Sequence, residues 1–185
     1  MSNIDRRAAL KLIAAGVLAE RLAEAQHHLE TIARAPGAYK LQFFTPAQNA
    51  LLDQLSELII PADGRSPGAR EAKVSLFIDL MVANSRKDVQ QQWISGLQAV
   101  ESEAKNRFRN RFLDCNAGQQ DQILRAMAAN ENKPANDLER FFAALKLMTI
   151  NGYYTSPVGI HKDLQYIGNT AQVDFPGCAA PEQRG

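Results

Sequence analysis

The side chains best suited to chemistry in this chain are few and scattered. Histidine occurs at three positions, His27, His28 and His161. The His27-His28 pair offers two imidazoles, but a metal centre needs three or four converging ligands. No HExxH, no Cys/His cluster and no carboxylate set at ligand spacing accompanies the pair. Its plainer reading is a polar stretch. Nucleophilic catalysis lacks a GxSxG turn, and neither Cys115 nor Cys178 has a local partner that would lower a thiol pKa. The two cysteines permit one disulfide or two ordinary thiols. No glycine-rich loop follows a strand, so no nucleotide, flavin or nicotinamide site is visible. No CxxCH occurs, so c-type haem is not attached to this chain. Asp63, Asp79 and Asp163 are the acids nearest the conspicuous loops. Asp63 is a general base only in principle, because an Asp after Pro-Ala more often caps a turn through its side-chain oxygen. Arg107, Arg109 and Arg111 alternate with aromatics, which suits either an anion or a solvated helix end. The residues themselves assign no catalytic, cofactor-binding or metal-binding role.

Recognition is better represented than reaction. Tyr153, Tyr154, Tyr166 and Phe175 stand in or beside breaks rich in glycine and proline. Tyrosines in such places suit protein interfaces. They equally suit a staple that holds the chain's end to its own core, and both readings stay open.

The elements that must position these residues are helical. The chain has 185 residues, 45% of them hydrophobic and 22% charged, with a formal charge of +1. These values describe one soluble globular domain with a tail. Near-neutrality argues against nucleic acid or an anionic membrane as the main partner. Thr45-Pro46-Ala47-Gln48 reads as a capping box with proline at the first helical position. Leu51, Leu52, Leu55, Leu58 and Ile59 continue as an apolar stripe until Pro61 ends the helix. Ser66-Pro67 is expected to start a second helix carrying Val74, Phe77, Ile78 and Met81. A third is expected from Lys87 to about Phe112, burying Trp93, Leu97, Val100, Ala104 and Phe108. A fourth begins near Asn116 or Ala117 and carries Ile123, Leu124 and Met127. Asn136 caps a fifth, with Leu138, Phe141, Phe142, Leu145 and Met148. Ser156-Pro157 caps a short last helix to about Leu164. No strand pattern appears. The expected fold is all-α, an irregular bundle of five or six helices with a long C-terminal tail. The expected division is a signal segment over 1–25, a loose connector over 26–43, a helical domain over 44–166 and an extended tail over 167–185.

The first segment, DRRAALKLIAAGVLAERLAEA, has the order of a secretory signal: paired arginines, a short apolar run, then a small-x-small site at Ala23-Glu24-Ala25. The run is too short for a bilayer span of about 20 residues. Arg6, Arg7, Leu10 and Lys11 resemble the twin-arginine export motif. Asp5, Ala9, Glu20 and Glu24 depart from its usual form. The competing reading is an alanine-rich amphipathic helix with Leu10, Ile13 and Val17 on one side.

Two longer stretches carry a family resemblance. LIIPADGRSPGAREAKVSLFIDL, residues 58–80, and the segment 151–178, with NGYYTSPVGIHKDLQYIGNT and FPGC, resemble the gluconate 2-dehydrogenase subunit 3 family. The resemblance covers residues 44–178, and Pro157 stands where the family often has an acidic residue. It implies a non-catalytic small subunit that helps an FAD-bearing large subunit to fold. That partner is an enzyme of the glucose-methanol-choline oxidoreductase type. The resemblance further implies that the small subunit carries its partner to the periplasm through the twin-arginine machinery. Related complexes oxidise sugars or glycosides, including at C3, and a haem c protein, a cytochrome c, often accepts the electrons. The loop 61–69 and the segment 151–178 are then expected to embrace the large subunit. Composition picks the contact residues: Pro61, Asp63, Pro67, Tyr153, Tyr154, Tyr166, Gly168, Phe175, Pro176 and Cys178. The alternatives are a free-standing periplasmic binding or structural protein and an enzyme in its own right.

Overall fold

The computed structural model describes residues 39–166 and Gly168. The described residues form five α-helices: α1 Pro46–Ile59, α2 Val74–Ala83, α3 Lys87–Phe108, α4 Ala117–Met127 and α5 Asp137–Tyr154. A 3-10 turn, Phe112–Asp114, precedes α4, and a π-type turn, Gly159–Asp163, follows α5. No strand occurs among the described residues. The fold is the all-α bundle that the sequence leads one to expect.

Local chemistry sets the helix starts. The Gln48 N–H donates to Thr45 Oγ1 at 3.3 Å, and the Thr45 N–H donates to Gln48 Oε1 at 2.9 Å. Two otherwise orphaned donors are thereby satisfied. Asn116 and Gln119 build the same box at α4, and Asn136 accepts from the Glu139 N–H at α5. The end of α1 follows from Pro61. The residue before a proline is driven out of the helical region, and Ile60 sits at φ −126°, ψ 84°.

Helix α5 lies at the centre and packs against α1, α2, α3 and α4. Leu52, Leu55, Phe77, Ile78, Leu97, Val100, Ile123, Met127 and Leu145 are all essentially inaccessible. Fully burying each side chain of this size contributes roughly 1.5–3 kcal/mol. Close approach of α3 to α5 depends on Gly96. A Cβ there would stand 2.1 Å from the Phe141 ring. Trp93 meets the same ring edge-to-face at 5.5 Å.

Several boundaries differ from the sequence expectation, each for a physical reason. Helix α2 begins at Val74, not at Ser66-Pro67. Ser66 cannot cap there because its hydroxyl lies 2.6 Å from the Tyr153 hydroxyl. Residues 61–73 instead form turns, ending with Lys73 in the left-handed region at φ 56°. Helix α3 ends at Phe108 rather than near Phe112, because Arg109 also turns left-handed, at φ 62°. That break swings Phe112 into the core, where it is wholly buried. The segment after Ser156 is a single π-type turn rather than an α-helix. Ser156 still caps it, its Oγ accepting the Gly159 N–H at 3.1 Å.

The stretch 39–43, expected in a loose connector, is tied to α2. Asp79 is completely buried. Its Oδ2 accepts from the Tyr39 hydroxyl at 2.7 Å and the Gln42 N–H at 2.7 Å. Its Oδ1 accepts from the Phe43 N–H at 3.1 Å and the Phe44 N–H at 2.8 Å. Such saturation is what makes a buried carboxylate tolerable. Burial, followed by the bond to Asp79, pushes the Tyr39 hydroxyl well above its ordinary pKa.

Candidate functional site: an interaction face

The loop 61–69 is held from three sides. Asp63 forms an Asx turn, its Oδ1 accepting the Arg65 and Ser66 N–H groups at 2.8 Å each. Glu57 on α1 accepts the Ala62 N–H at 3.3 Å and the Arg70 N–H at 2.8 Å. Arg70 in turn grips α1 through Asp53, at 2.7 Å. From α5, the Tyr153 hydroxyl donates to the Pro67 carbonyl at 2.7 Å. The Ser66 hydroxyl can then donate to Tyr153. The result is a pre-set loop whose tip, Pro61 to Arg65, is exposed.

These contacts assign the acids and thiols named above. The backbone donors Arg65 and Ser66 hold the Asp63 carboxyl below the usual carboxylate range. A carboxylate so stabilised is a poor proton acceptor. Asp79 is the clasp already described, and Asp163 beside the Tyr154 hydroxyl pushes that hydroxyl's pKa up. Cys115 is buried and unbridged among the described residues, and burial pushes its thiol pKa up, away from the nucleophilic thiolate. His161 is exposed, with Nδ1 3.1 Å from the Tyr166 carbonyl oxygen. Arg107 pairs with Glu103, and Arg111 pairs with Asp114 at 2.9 Å, so the arginines serve a solvated helix end. Among the described residues no group of three His, Cys, Asp or Glu side chains converges to hold a metal. No helix among them is long and apolar enough to cross a membrane. A cavity of about 480 Å³ lies between α3 and α5 beside Trp93 and Gly96. Its Arg140 is already paired with Asp137 at 2.6 Å.

The residues picked for contact divide clearly. Tyr153 is 1% exposed, and its place is in the chain's own core rather than on an open contact surface. Pro67 is half-buried beside it. Pro61, Asp63, Tyr154, Tyr166 and Gly168 are exposed. Tyr154 packs edge-to-face on Tyr153 with centroids 5.1 Å apart, so the buried ring supports the exposed one. Arg6, Arg7, Leu10, Lys11, His27, His28, Phe175, Pro176 and Cys178 lie outside the described residues, and with Cys178 the choice between a Cys115–Cys178 disulfide and two ordinary thiols.

Sequence reasoning missed Leu147, Ile150 and Leu164, which the structure leaves exposed. The available signal was in α5. From Phe141 to Tyr154 its only charged residue is Lys146. A helix with one wet face ordinarily carries more charge.

The family model described as Gluconate 2-dehydrogenase subunit 3 matches residues 46–177. No curated protein and no solved structure matches the chain significantly.

Proposed function

The chain belongs to the gluconate 2-dehydrogenase subunit 3 family, and on that premise we propose that it is the non-catalytic small subunit of a periplasmic, FAD-dependent dehydrogenase complex acting on sugars or glycosides. The observation that carries this reading is the extent of the match. It runs over residues 46–177, from the first residue of α1 past the π-type turn, so it takes in all five helices and the loop 61–69. The Asx turn capped by Asp63 and the burial of Cys115 support a structural rather than a chemical role.

In this reading the FAD belongs to a large subunit of the glucose-methanol-choline type. A haem c protein takes the electrons onward. The present chain helps the large subunit to fold. Its Arg6-Arg7 segment takes the folded pair through the twin-arginine machinery.

The test is to co-express the chain with an FAD-bearing large subunit from the same genome and measure periplasmic dehydrogenase activity. The comparison is the native leader against the double variant Arg6→Lys, Arg7→Lys. Activity that reaches the periplasm only with the arginine pair is the expected result. Equal export of active flavoprotein with either leader would remove the escort role.

A further inference from the structure

Helix α5 has an inner side and an unexplained outer side. Phe141, Leu145, Thr149 and Tyr153 are buried against the bundle. On the opposite side stand Leu147, Ile150 and Tyr154, spaced by three and four residues and therefore stacked on one face. They are 60%, 36% and 39% exposed. Beyond the helix end, the π-type turn packs back against α5. Leu164, the residue that follows this turn, is 58% exposed. A helix that is apolar on every side suits an interior position, yet all four neighbouring helices lie on the inner side. Contiguous exposed apolar surface of this kind marks a place where another molecule sits.

Resting on the small-subunit reading above, we propose that Leu147, Ile150, Tyr154 and Leu164 form the seat of the FAD-bearing large subunit, which meets them with an apolar surface. Charge favours a protein over a lipid here. An anionic membrane surface calls for a row of cations beside the apolar stripe. Lys146 on α5 is bonded to Glu131 at 2.6 Å, and near Leu164 in the chain stands the exposed Lys162, a single cation rather than a row. Asn151 and Thr155 follow Ile150 and Tyr154 directly along the chain, so polar residues adjoin the apolar stripe. Tyrosine at the centre of such a patch commonly carries much of the binding energy. The pre-set loop 61–69 is joined to the same end of α5 through Tyr153.

The experiment uses the full chain co-expressed with a tagged large subunit. Leu147→Glu, Ile150→Glu and Leu164→Glu are compared with wild type and with Gln98→Glu, an exposed position on α3. A carboxylate forced into an apolar contact should lower the captured small subunit about tenfold or more. Gln98→Glu should leave capture unchanged. The circular dichroism and melting temperature of each lone variant should stay within about 2 °C of wild type, as surface substitutions do. Leu164→Glu lies outside the helices and keeps the test independent of α5 stability. Full capture of all three variants overturns the seat and leaves the small-subunit reading standing. If capture persists but the lone chain passes from dimer to monomer in sedimentation, the stripe joins two copies of this chain. If capture persists but binding to phosphatidylglycerol-containing vesicles is lost, the stripe faces a membrane. Failure of the wild-type chain to be captured at all overturns both readings together.

Discussion

Changing Asp79 to Asn should loosen the strap formed by residues 39–44. The substitution keeps shape and removes charge. Two donors meet each carboxylate oxygen: Tyr39 and Gln42 on Oδ2, Phe43 and Phe44 on Oδ1. An amide can place its oxygen toward one pair only. With the oxygen toward Phe43 and Phe44, its NH2 confronts the Gln42 N–H and the Tyr39 hydroxyl. The hydroxyl can turn and accept, but the backbone N–H cannot. One donor is then orphaned, at about 1–3 kcal/mol, and the remaining bonds lose their charge assistance. The expected total is about 2–4 kcal/mol, or a melting temperature lower by roughly 5–15 °C. The chain's single tryptophan reports on the strap directly. Phe44 packs on Trp93 with ring centroids 6.2 Å apart, and Trp93 is only 4% exposed. Its emission should shift to the red in the variant, before or together with global unfolding in urea. A variant within about 0.5 kcal/mol of wild type, with unshifted emission, would refute the idea that Asp79 holds the strap.

Two further outcomes are expected. Tyr153→Phe deletes the hydroxyl shared by Ser66 and Pro67 and should cost about 1–2 kcal/mol in urea unfolding, with faster hydrogen exchange in residues 61–69; unchanged exchange there would show that the loop stands without α5. Acid titration should also destabilise the fold through Glu139. The Ala135 N–H, followed by the Asn130 amide, holds the Glu139 carboxyl below its ordinary pKa. Its contribution is therefore complete above the unfolded value of about 4.3 and is lost as pH falls through the lower folded value. Glu139→Gln should flatten that acid limb in urea titrations between about pH 7 and pH 3, and parallel curves for variant and wild type would count against the assignment.

The parts of the fold legible in the sequence are those that neighbouring residues decide. The boxes at Thr45 and Asn116 and the cap at Asn136 each work across three residues, so their chemistry is written within a single turn. Ser66-Pro67 has the look of a helix start, but the partner that claims the Ser66 hydroxyl is Tyr153, 87 residues away. Asp79 reads as an ordinary acid because its four donors lie 35 to 40 residues upstream. Tyr153 and Tyr154 are identical in type and adjacent, yet one is buried and one exposed. Helical rotation separates them, and only the packed bundle shows which way α5 faces. The same rotation decides that Leu145 is core while Leu147 is surface. The candidate face was thus half visible: its tyrosines stood out by composition, and its leucines were concealed among those of the core.

The tie between Tyr153 and the loop 61–69 also sets an order of events during synthesis. Residues Ser66 and Pro67 leave the ribosome 87 and 86 residues before the hydroxyl that fixes them. At about 5–20 residues per second, that interval is roughly 4–17 s. Until then the loop has its Asx turn and its Glu57 contacts but no anchor from α5. Helices α1 to α4 likewise wait for the central helix against which each of them packs. Their apolar faces stay open to chaperones or to a partner chain through that interval. The nascent chain can therefore meet another polypeptide before its own core has closed, and the last helix to be made completes the core and the outer stripe together.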